Sequence, residues 1–267
     1  MSERFLLVLA QAGDPALQAL RQLLPQRLAH AGIADLSSSG WRCVVGCPEL
    51  ATAAAGGRLL RAEQIAAVWC RLTTITPQDL THLHADDRDF TAGEMHAFLR
   101  AWLAQFGERV CNQPNSTSLA GPAWLPMRWR WLAARSGIPT AAAANKSLFV
   151  ASAFRRKAAA AEQIPTLHTS FRLKPEATLD EFMGSEAVTV LVAGHQVLGT
   201  RDARLIRYAL MLARAVRSTL LTMRFVKQDD WRFVSADPNP PLDGGGAAAL
   251  VEWAFGSQLQ FAAAGAR

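Results

Sequence analysis

The most informative stretch of the chain is LLTMRFVKQDDWRFVSADPNPPLDGGGAAALVEWAF, which runs from Leu220 to Phe255. Two short apolar runs flank the polar tetrapeptide Lys227-Gln228-Asp229-Asp230, and this pattern predicts a tight antiparallel hairpin. The second run leaves through Asp237-Pro238-Asn239-Pro240-Pro241, where the prolines end any helix or central strand. We expect an apolar helix after the three glycines that follow.

Three polar residues mark the end of this predicted hairpin. Asp237, Asn239 and Asp243 lie where a strand end meets a loop before a helix, which is a common place for a ligand or metal site. On chemistry alone, a proline-rich surface turn with solvated carboxylates is the favoured interpretation of the same residues. Both interpretations stay open at this point.

The composition sets the broad class of the protein. A length of 267 residues suits one large domain or two smaller ones, and half of the residues are hydrophobic. The net charge of +6 comes mainly from arginines that are scattered along predicted helices, without a block of five like charges. This pattern disfavours nucleic acid as a partner, although it is compatible with a basic cleft for phosphate-bearing ligands.

Cysteine and histidine spacing gives little support for a metal site in the first half of the chain. The four cysteines form no CxxC pair and have no histidine at a zinc spacing, so we expect reduced, buried thiols: Cys43, Cys47, Cys70 and Cys111. The polar segment Pro77–Asp89 carries His82, His84, Asp86 and Asp87. Its spacing resembles a metal-ligand set, but a free surface loop is the favoured interpretation.

The pattern of the N-terminal half predicts an α/β unit. Phe5–Leu9 predicts a buried strand, Asp14 and Pro15 predict the start of a helix that runs to Gly32, and Ile65–Leu72 predicts a second buried strand. That strand delivers Arg71 to its C-terminal end, which faces the ligand crevice in open α/β sheets. Further predictions are strands at Ile33–Leu36, Trp41–Val45 and Val110–Asn112, a loop at Ala51–Gly57 and a helix at Thr91–Phe106.

The second half begins with a tryptophan-rich helix, Pro126–Ser136. Its spacing predicts that four residues pack inward, Trp124, Met127, Trp131 and Leu132, while three arginines face out, Arg128, Arg130 and Arg135. The N-terminal apolar run Phe5–Ala10 is too short to span a membrane, and no signal peptide precedes it. We therefore expect a cytoplasmic protein that does not contact a membrane.

The order of the pieces resembles the ATP-grasp ligases, closest to the group that modifies ribosomal peptides, namely the microviridin ligases and RimK-like glutamate ligases. The residues that carry the resemblance are Val68-Trp69-Cys70-Arg71, Val110-Cys111-Asn112-Gln113-Pro114, Gly137-Ile138-Pro139, a hairpin at Ala187–Leu198 and a helix at Thr200–Ser218. The resemblance implies an α/β protein with an N-terminal pre-ATP-grasp domain, built on an open parallel sheet, over residues 1–112. A truncated ATP-grasp-like α+β domain over residues 113–256 and a flexible tail over 257–267 would follow.

The resemblance also implies a chemistry, in which ATP activates a carboxylate as an acyl-phosphate that an amine then attacks. It implies Lys146, Lys157 and Lys174 as phosphate ligands, Asp237 and Asn239 as ligands of Mg²⁺ with Asp243 as a further candidate, and Arg201 and Arg204 as ligands of the substrate carboxylate. The chain departs from the family at the metal, because the family's metal-binding Glu falls on Ser235, its Asn on Asp237, and its earlier acidic ligand near Met223 or Arg224. The interval from Pro139 to Glu186 also lacks a glycine-rich phosphate loop.

These departures favour a pseudoenzyme, a chain that has kept the ATP-grasp scaffold but lost its nucleotide chemistry. Such a protein would be a binding or regulatory subunit in a peptide-modifying or cofactor-biosynthesis pathway, with a protein or a peptide as its partner. The first alternative is an active ATP-dependent carboxylate-amine ligase that uses ATP and Mg²⁺. The second alternative is a nucleic-acid-binding protein.

Overall fold

The computed structural model describes residues 3–141 and 186–256. The three lysines Lys146, Lys157 and Lys174 and the tail over 257–267 lie outside the described residues. In chain order the elements are β1 (Phe5–Leu9), α1 (Pro15–Leu23), β2 (Leu28–Ala31), β3 (Thr52–Ala55), β4 (Arg58–Arg61), β5 (Ile65–Cys70), α2 (Arg88–Ala104), β6 (Val110–Cys111), α3 (Pro126–Arg135), β7 (Ala187–Ala193), β8 (Gln196–Leu198), α4 (Ala203–Ala215), β9 (Leu220–Lys227), β10 (Trp231–Asp237) and α5 (Gly244–Phe255).

The first sheet is parallel, with the strand order β2-β1-β5-β6. All five residues of β1 are buried, as expected of a strand that is covered on both faces. Asp14 caps α1 by accepting a 2.9 Å hydrogen bond from the backbone N–H of Ala16, and Pro15 occupies the first turn. The helix ends at Leu23 rather than at Gly32, because Pro25 disfavours helical backbone at the residue before it.

Two of the predicted strands and one predicted loop are wrong. The alanine segment expected as a loop forms β3, which pairs with β4 through a turn at Gly56 and Gly57, both of which have positive φ. Trp41–Val45 is not a strand, since only Arg42 makes an isolated bridge to Thr52. The segment at Ile33–Leu36 is a short 3₁₀ turn, and the next strand is the earlier β2.

The second sheet is antiparallel, in the order β10-β9-β7-β8, and it confirms both predicted hairpins. Phe233 pairs with Phe225 and Ser235 pairs with Arg224, so Val234 is a one-residue bulge in β10. The bulge interrupts the ladder, and the Nε of Arg130 donates a 3.0 Å hydrogen bond to the Val234 carbonyl. This hydrogen bond from a side chain of α3 therefore offsets the backbone hydrogen bond that the strand ladder loses at the bulge.

One face of this sheet packs on α3 and α4. The buried residues of this cluster include Val190, Val192, Leu221, Met223, Phe225, Phe233, Leu205, Leu212 and Trp129. The predicted orientation of α3 is wrong, because Trp129 and Arg130 are buried while Met127 and Trp131 are more than half exposed. Hydrogen bonding to the β10 bulge therefore turns Arg130 inward, against the pattern that polarity alone predicts.

Helix α5 joins the two sheets. Asp243 caps it with a 2.7 Å hydrogen bond from the N–H of Gly246, so the three glycines form its first turn rather than a preceding loop. A Cβ on Gly246 would lie 2.9 Å from Cδ2 of Leu191, so only glycine allows α5 to approach β7 this closely. The cluster under α5 draws residues from both sheets, including Leu6, Leu17, Trp69, Ala193, Leu220 and Leu250.

Described residues on either side of 142–185 are attached to the second sheet. The N–H of Phe233 donates to the carbonyl of Pro139 and the N–H of Ala141 donates to the carbonyl of Phe233, so this segment runs parallel along β10. On the other side, Glu186 leads into β7 and accepts a hydrogen bond from the N–H of Lys227. In the part of the chain that the structure describes, no helix is long and apolar enough to cross a membrane.

Candidate functional site

Three polar residues follow three parallel strands at the same edge of the first sheet. Asp14 comes shortly after β1, Arg71 directly after β5 and Asn112 directly after β6. The strand order β2-β1-β5-β6 places the topological switch between β1 and β5, where ligands usually bind in such sheets. The prediction that Arg71 reaches this carboxyl edge is confirmed.

Arg71 makes contacts that bind the two sheets together. Its Nε donates to Oδ2 of Asp14 at 2.5 Å, one terminal nitrogen donates to the carbonyl of Pro240 at 2.8 Å, and its guanidinium carbon lies 4.6 Å from the centre of the Trp69 ring. The Arg71 side chain is only 9% exposed. A guanidinium that is buried and bonded in this way contributes to structure rather than to substrate contact.

Asn112 makes a still denser connection between the sheets. Its Nδ2 donates to the carbonyls of Leu220 and Pro238, both at 2.7 Å. Its Oδ1 accepts hydrogen bonds from Oγ of Ser218 and from the N–H groups of Thr219 and Leu220, at 2.7 to 3.0 Å. The residue is buried and has a φ of 62°, a conformation that Asn tolerates better than most residues. The sequence motif that contains Asn112 predicted no role for its side chain.

The turn after β10 lies against the carboxyl edge of the first sheet. The carbonyls of Pro238 and Pro240 accept the hydrogen bonds from Asn112 and Arg71, and Nδ2 of Asn239 donates to the carbonyl of Arg71 at 3.1 Å. Asp237 is exposed, and its Oδ1 accepts a 2.8 Å hydrogen bond from the N–H of Asn239. The predicted metal ligands Asp237 and Asn239 therefore lie on a turn that already connects the two sheets.

The second sheet has a polar face, opposite the one that packs on α3 and α4. Strand alternation places six residues on it, Thr189, Thr222, Arg224, Arg232, Ser235 and Asp237, and we refer to them as the polar face. Arg224 lies between its two partners, Thr189 on β7 and Ser235 on β10. Met223 belongs to the apolar face, so Arg224 is the residue that stands where the resemblance expects an acidic metal ligand.

The donor set on this face does not fit Mg²⁺. That ion is held in proteins by oxygen ligands with one or two carboxylates, whereas the polar face offers the single carboxylate of Asp237 beside two guanidinium groups. Across residues 3–141 and 186–256, no group of three His, Cys, Asp or Glu side chains could hold a metal ion. The assignment of Asp237 and Asn239 as metal ligands stays a prediction.

The histidine-rich loop also lacks the geometry of a metal site. His84 lies 3.6 Å from Asp86, and both side chains are strongly exposed. A ring nitrogen of His82 lies 2.9 Å from Oγ of Ser37 instead of facing that pair. This arrangement agrees with the surface loop that the sequence favoured.

The two arginines predicted to bind a substrate carboxylate lie at the opposite end of β10 from Asp237. One terminal nitrogen of Arg204 lies 2.9 Å from Oδ1 of Asp230 and the other lies 3.7 Å from Oδ2 of Asp202, while Arg201 is exposed. The backbone N–H of Arg204 is the main cause that lowers the pKa of Asp202, and the charge of Arg204 adds to it. Because β10 spans about 20 Å, the structure does not bring Arg204 and Asp237 together.

A groove runs along the outer side of α4. Its volume is about 460 Å³, and the described residues that line it are Ala203, Ile206, Arg207, Leu210, Met211 and Arg214. Ile206 lines this groove and is half-buried. The lining is apolar with arginines along it, and none of these six residues is acidic.

Two of the four cysteines are structural thiols. All four are free, and Cys70 and Cys111 are buried in β5 and β6. Burial raises the pKa of Cys70 to about 12, and burial raises the pKa of Cys111 as well. Thiols with raised pKa values are poor nucleophiles at neutral pH. The prediction of reduced, buried cysteines is confirmed for these two, whereas Cys43 and Cys47 are only partly buried.

Solved structures of ATP-grasp ligases share this architecture. The ligase PsnB in complex with a phosphomimetic variant of a minimal precursor, Mg and ADP superposes with a TM-score of 0.61 at 13% identity, over 95% of this chain and 99% of that one. The macrocyclase MdnC from Microcystis aeruginosa, bound with the precursor peptide MdnA, gives 0.57 at 11% identity, over 92% and 98%. A RiPP-associated ATP-grasp ligase from Chryseobacterium gregarium, with ADP and a leader and core peptide, gives 0.55 at 11% identity, over 94% and 96%. No protein-family model and no curated protein matches the sequence.

Proposed function

We propose that this chain, which has an ATP-grasp fold, is a non-catalytic binding or regulatory protein that has lost the metal-dependent ATP chemistry of the peptide-modifying ligases. The observation that carries the proposal is the pair of Arg224 and Ser235, which face each other on the polar face. The resemblance places acidic metal ligands at these positions. In the ligase reaction a metal neutralises the charge of the phosphoryl group that moves from ATP to a carboxylate.

Electrostatics support this interpretation. Two unit charges 5 Å apart interact by about 3 kcal/mol at an effective dielectric constant of 20, so a divalent cation at that distance from one guanidinium is repelled by about 6 kcal/mol. A single carboxylate at Asp237 offsets only part of this repulsion. Arg224 and Arg232 on the same face therefore oppose a magnesium ion there.

Restoring the acidic residues tests the loss of the metal site. We expect the double variant Arg224→Asp with Ser235→Glu to gain a rise of Tm with ATP that depends on Mg²⁺, whereas the wild-type protein shows no Mg²⁺-dependent rise. The matched control is Arg21→Asp with Ser39→Glu, which makes the same charge change at two exposed positions outside the second sheet. Formation of ADP by the wild-type protein in the presence of Mg²⁺ and an acidic peptide would refute the proposal.

A peptide is the partner we propose for the groove on α4. Solved neighbours contain precursor, leader or core peptides, and the groove combines the apolar residues Ile206, Leu210 and Met211 with the positive charges of Arg207 and Arg214. An amphipathic peptide with acidic residues matches that lining in both polarity and charge. We expect Arg207→Glu with Arg214→Glu to abolish binding of such a peptide in a fluorescence anisotropy titration, while Arg21→Glu leaves binding unchanged.

One observation favours the alternative of an active ligase. Oδ1 of Asn239 is buried and accepts no hydrogen bond from the described residues, which leaves one oxygen beside Asp237 for a cation. Under this alternative Asp237 and Asn239 hold Mg²⁺ and Lys146, Lys157 and Lys174 hold the phosphates of ATP, while residues other than Arg204, which lies at the opposite end of β10, hold the carboxylate that receives the phosphoryl group. It requires that Asp237→Asn abolish an ATP turnover which the wild-type protein shows and which Arg21→Gln leaves intact.

A further inference from the structure

The polar face of the second sheet contains hydrogen-bond donors in adjacent positions. Thr189, Arg224 and Ser235 form one row across three strands, because Arg224 pairs with the other two. Neighbouring strands lie about 4.8 Å apart, so the three side chains are within reach of one ligand group. Arg232 lies on the same face, since it pairs with Val226, two residues beyond Arg224.

The side chains of the two arginines on this face form no hydrogen bond or ion pair with other described residues. By contrast, Arg71 forms an ion pair with Asp14, and Arg204 forms one with Asp230. Arg224 and Arg232 are both only partly exposed, and the Nε of Arg232 is fully enclosed without an acceptor in the described part of the chain. Enclosing a charged donor without an acceptor is unfavourable, and a bound anion removes that penalty.

The chemistry of this face identifies the class of ligand. Guanidinium groups present planar pairs of N–H donors that match phosphate oxygens, and hydroxyl groups can donate to the same oxygens. The one carboxylate of the polar face, Asp237, is in the neighbouring row, where it pairs with Thr222 rather than with Arg224. An anion on Arg224 therefore has donors on both sides of it and no acidic residue directly opposite.

We propose that the polar face binds a phosphoryl oxyanion directly, without a metal, through Arg224 and Arg232 with the hydroxyls of Thr189 and Ser235. The arginines thus supply the positive charge that a magnesium ion supplies in a ligase. The proposal rests on the proposed function, because it assigns a ligand to the sheet face where that function has lost its metal. The phosphoryl group is either free or carried on a nucleotide.

Calorimetric titrations in excess EDTA test the proposal, with pyrophosphate, ADP and adenosine as probes. We expect pyrophosphate and ADP to bind and adenosine not to bind. Equal affinities indicate a site for free phosphate, and a clear preference for ADP indicates a nucleotide site. Arg224→Gln and Arg232→Gln should each weaken binding about tenfold, which corresponds to the loss of one charge-assisted hydrogen bond.

Two controls keep the test decisive. Arg21→Gln removes the same charge from an exposed position on α1 and should bind the probes like the wild-type protein. Arg224→Lys keeps the charge without the planar guanidinium group, so it should bind the phosphate probes more tightly than Arg224→Gln and more weakly than the wild-type protein. The comparison uses variants whose Tm equals that of the wild-type protein. Unchanged binding in both glutamine variants, or no binding of either phosphate probe with or without Mg²⁺, overturns this inference alone. Binding of ADP that requires Mg²⁺ overturns the proposed function with it.

Discussion

Removing the Asn112 side chain should strongly destabilise the protein, because this side chain connects the two sheets. It takes part in five hydrogen bonds, all to residues of the second half of the chain. Buried hydrogen bonds contribute about 1 kcal/mol each, and Oγ of Ser218 keeps a second acceptor at the carbonyl of Leu220. Alanine in the left-handed backbone region adds about 1 kcal/mol. We therefore expect Asn112→Ala to lower the free energy of unfolding by about 4 to 5 kcal/mol.

Urea denaturation followed by circular dichroism measures this loss, with two reference variants. Asn112→Gly removes the same hydrogen bonds but relieves the backbone strain, so it should be more stable than Asn112→Ala by about 1 kcal/mol. Asn115→Ala makes the identical substitution in the following partly exposed loop, where among the described residues the side chain accepts hydrogen bonds from Thr117 and Ser118, and should cost about 1 kcal/mol. If Asn112→Ala is no less stable than Asn115→Ala, the connection between the sheets does not depend on this residue.

Three further predictions concern glycine, tryptophan and aspartate positions. Gly121→Ala would place a Cβ 2.8 Å from the Cβ of Asn112, at a φ of 103°, and should lower the free energy of unfolding by about 3 kcal/mol. Gly137→Ala is also at positive φ but in open space, so it should lower that free energy by about 1 kcal/mol. Equal losses in the two variants would contradict the clash at Gly121. Trp129→Ala empties a buried position and should lower the free energy of unfolding by about 3 to 5 kcal/mol in the same urea assay. Trp131 is 57% exposed, so Trp131→Ala should lower it by less than about 1 kcal/mol. The reverse order would refute the orientation of α3. The pKa of Asp202 is lowered from 3.8, chiefly by a backbone N–H two residues further on, so its carboxylate stabilises the folded state above that pH and loses this effect as the pH falls. Thermal melts from neutral to acidic pH should therefore show a smaller loss of Tm below about pH 4 for Asp202→Asn than for the wild-type protein, and parallel curves would contradict this.

The sequence predicted those parts of the fold that depend on local apolar pattern. β1 and β5 are continuous apolar runs, and the hairpin around Lys227–Asp230 is bounded by a polar turn, so each could be placed from its own residues. Arg71 could be placed at a carboxyl edge because it directly follows the β5 run. The existence of such a strand, and the position of the residue that follows it, can therefore be predicted from the residues of that segment alone.

Tertiary contacts decided what the sequence did not predict. β3 consists of one Thr and three Ala, and because Ala is depleted in strands the segment is a strand through its pairing with β4 and its packing on the core. Arg130 points inward because the bulge at Val234 exposes a carbonyl that needs a donor. Neither partner is near in sequence, so helical periodicity assigned Arg130 to the wrong face.

The candidate site shows the same division. Asp237 and Asn239 were predicted as ligands from the turn that they occupy. Only the structure shows, through strand register, that Arg224 faces Ser235 and, through an ion pair with Asp230, that Arg204 lies at the other end of β10. The connecting role of Asn112 depends on carbonyls more than a hundred positions away. Its only sequence signal was a polar residue directly after a short buried strand.

The attachment of Ala141 and Glu186 to one sheet has a consequence for dissecting the protein. Ala141 lies beside β10 and Glu186 beside β9, so the points where the chain leaves and rejoins the described sheet are within about 20 Å of each other, three strand spacings apart. A linker of about six to eight residues covers that distance. A variant in which such a linker replaces residues 142–185 would therefore show whether the polar face binds its ligand without that segment.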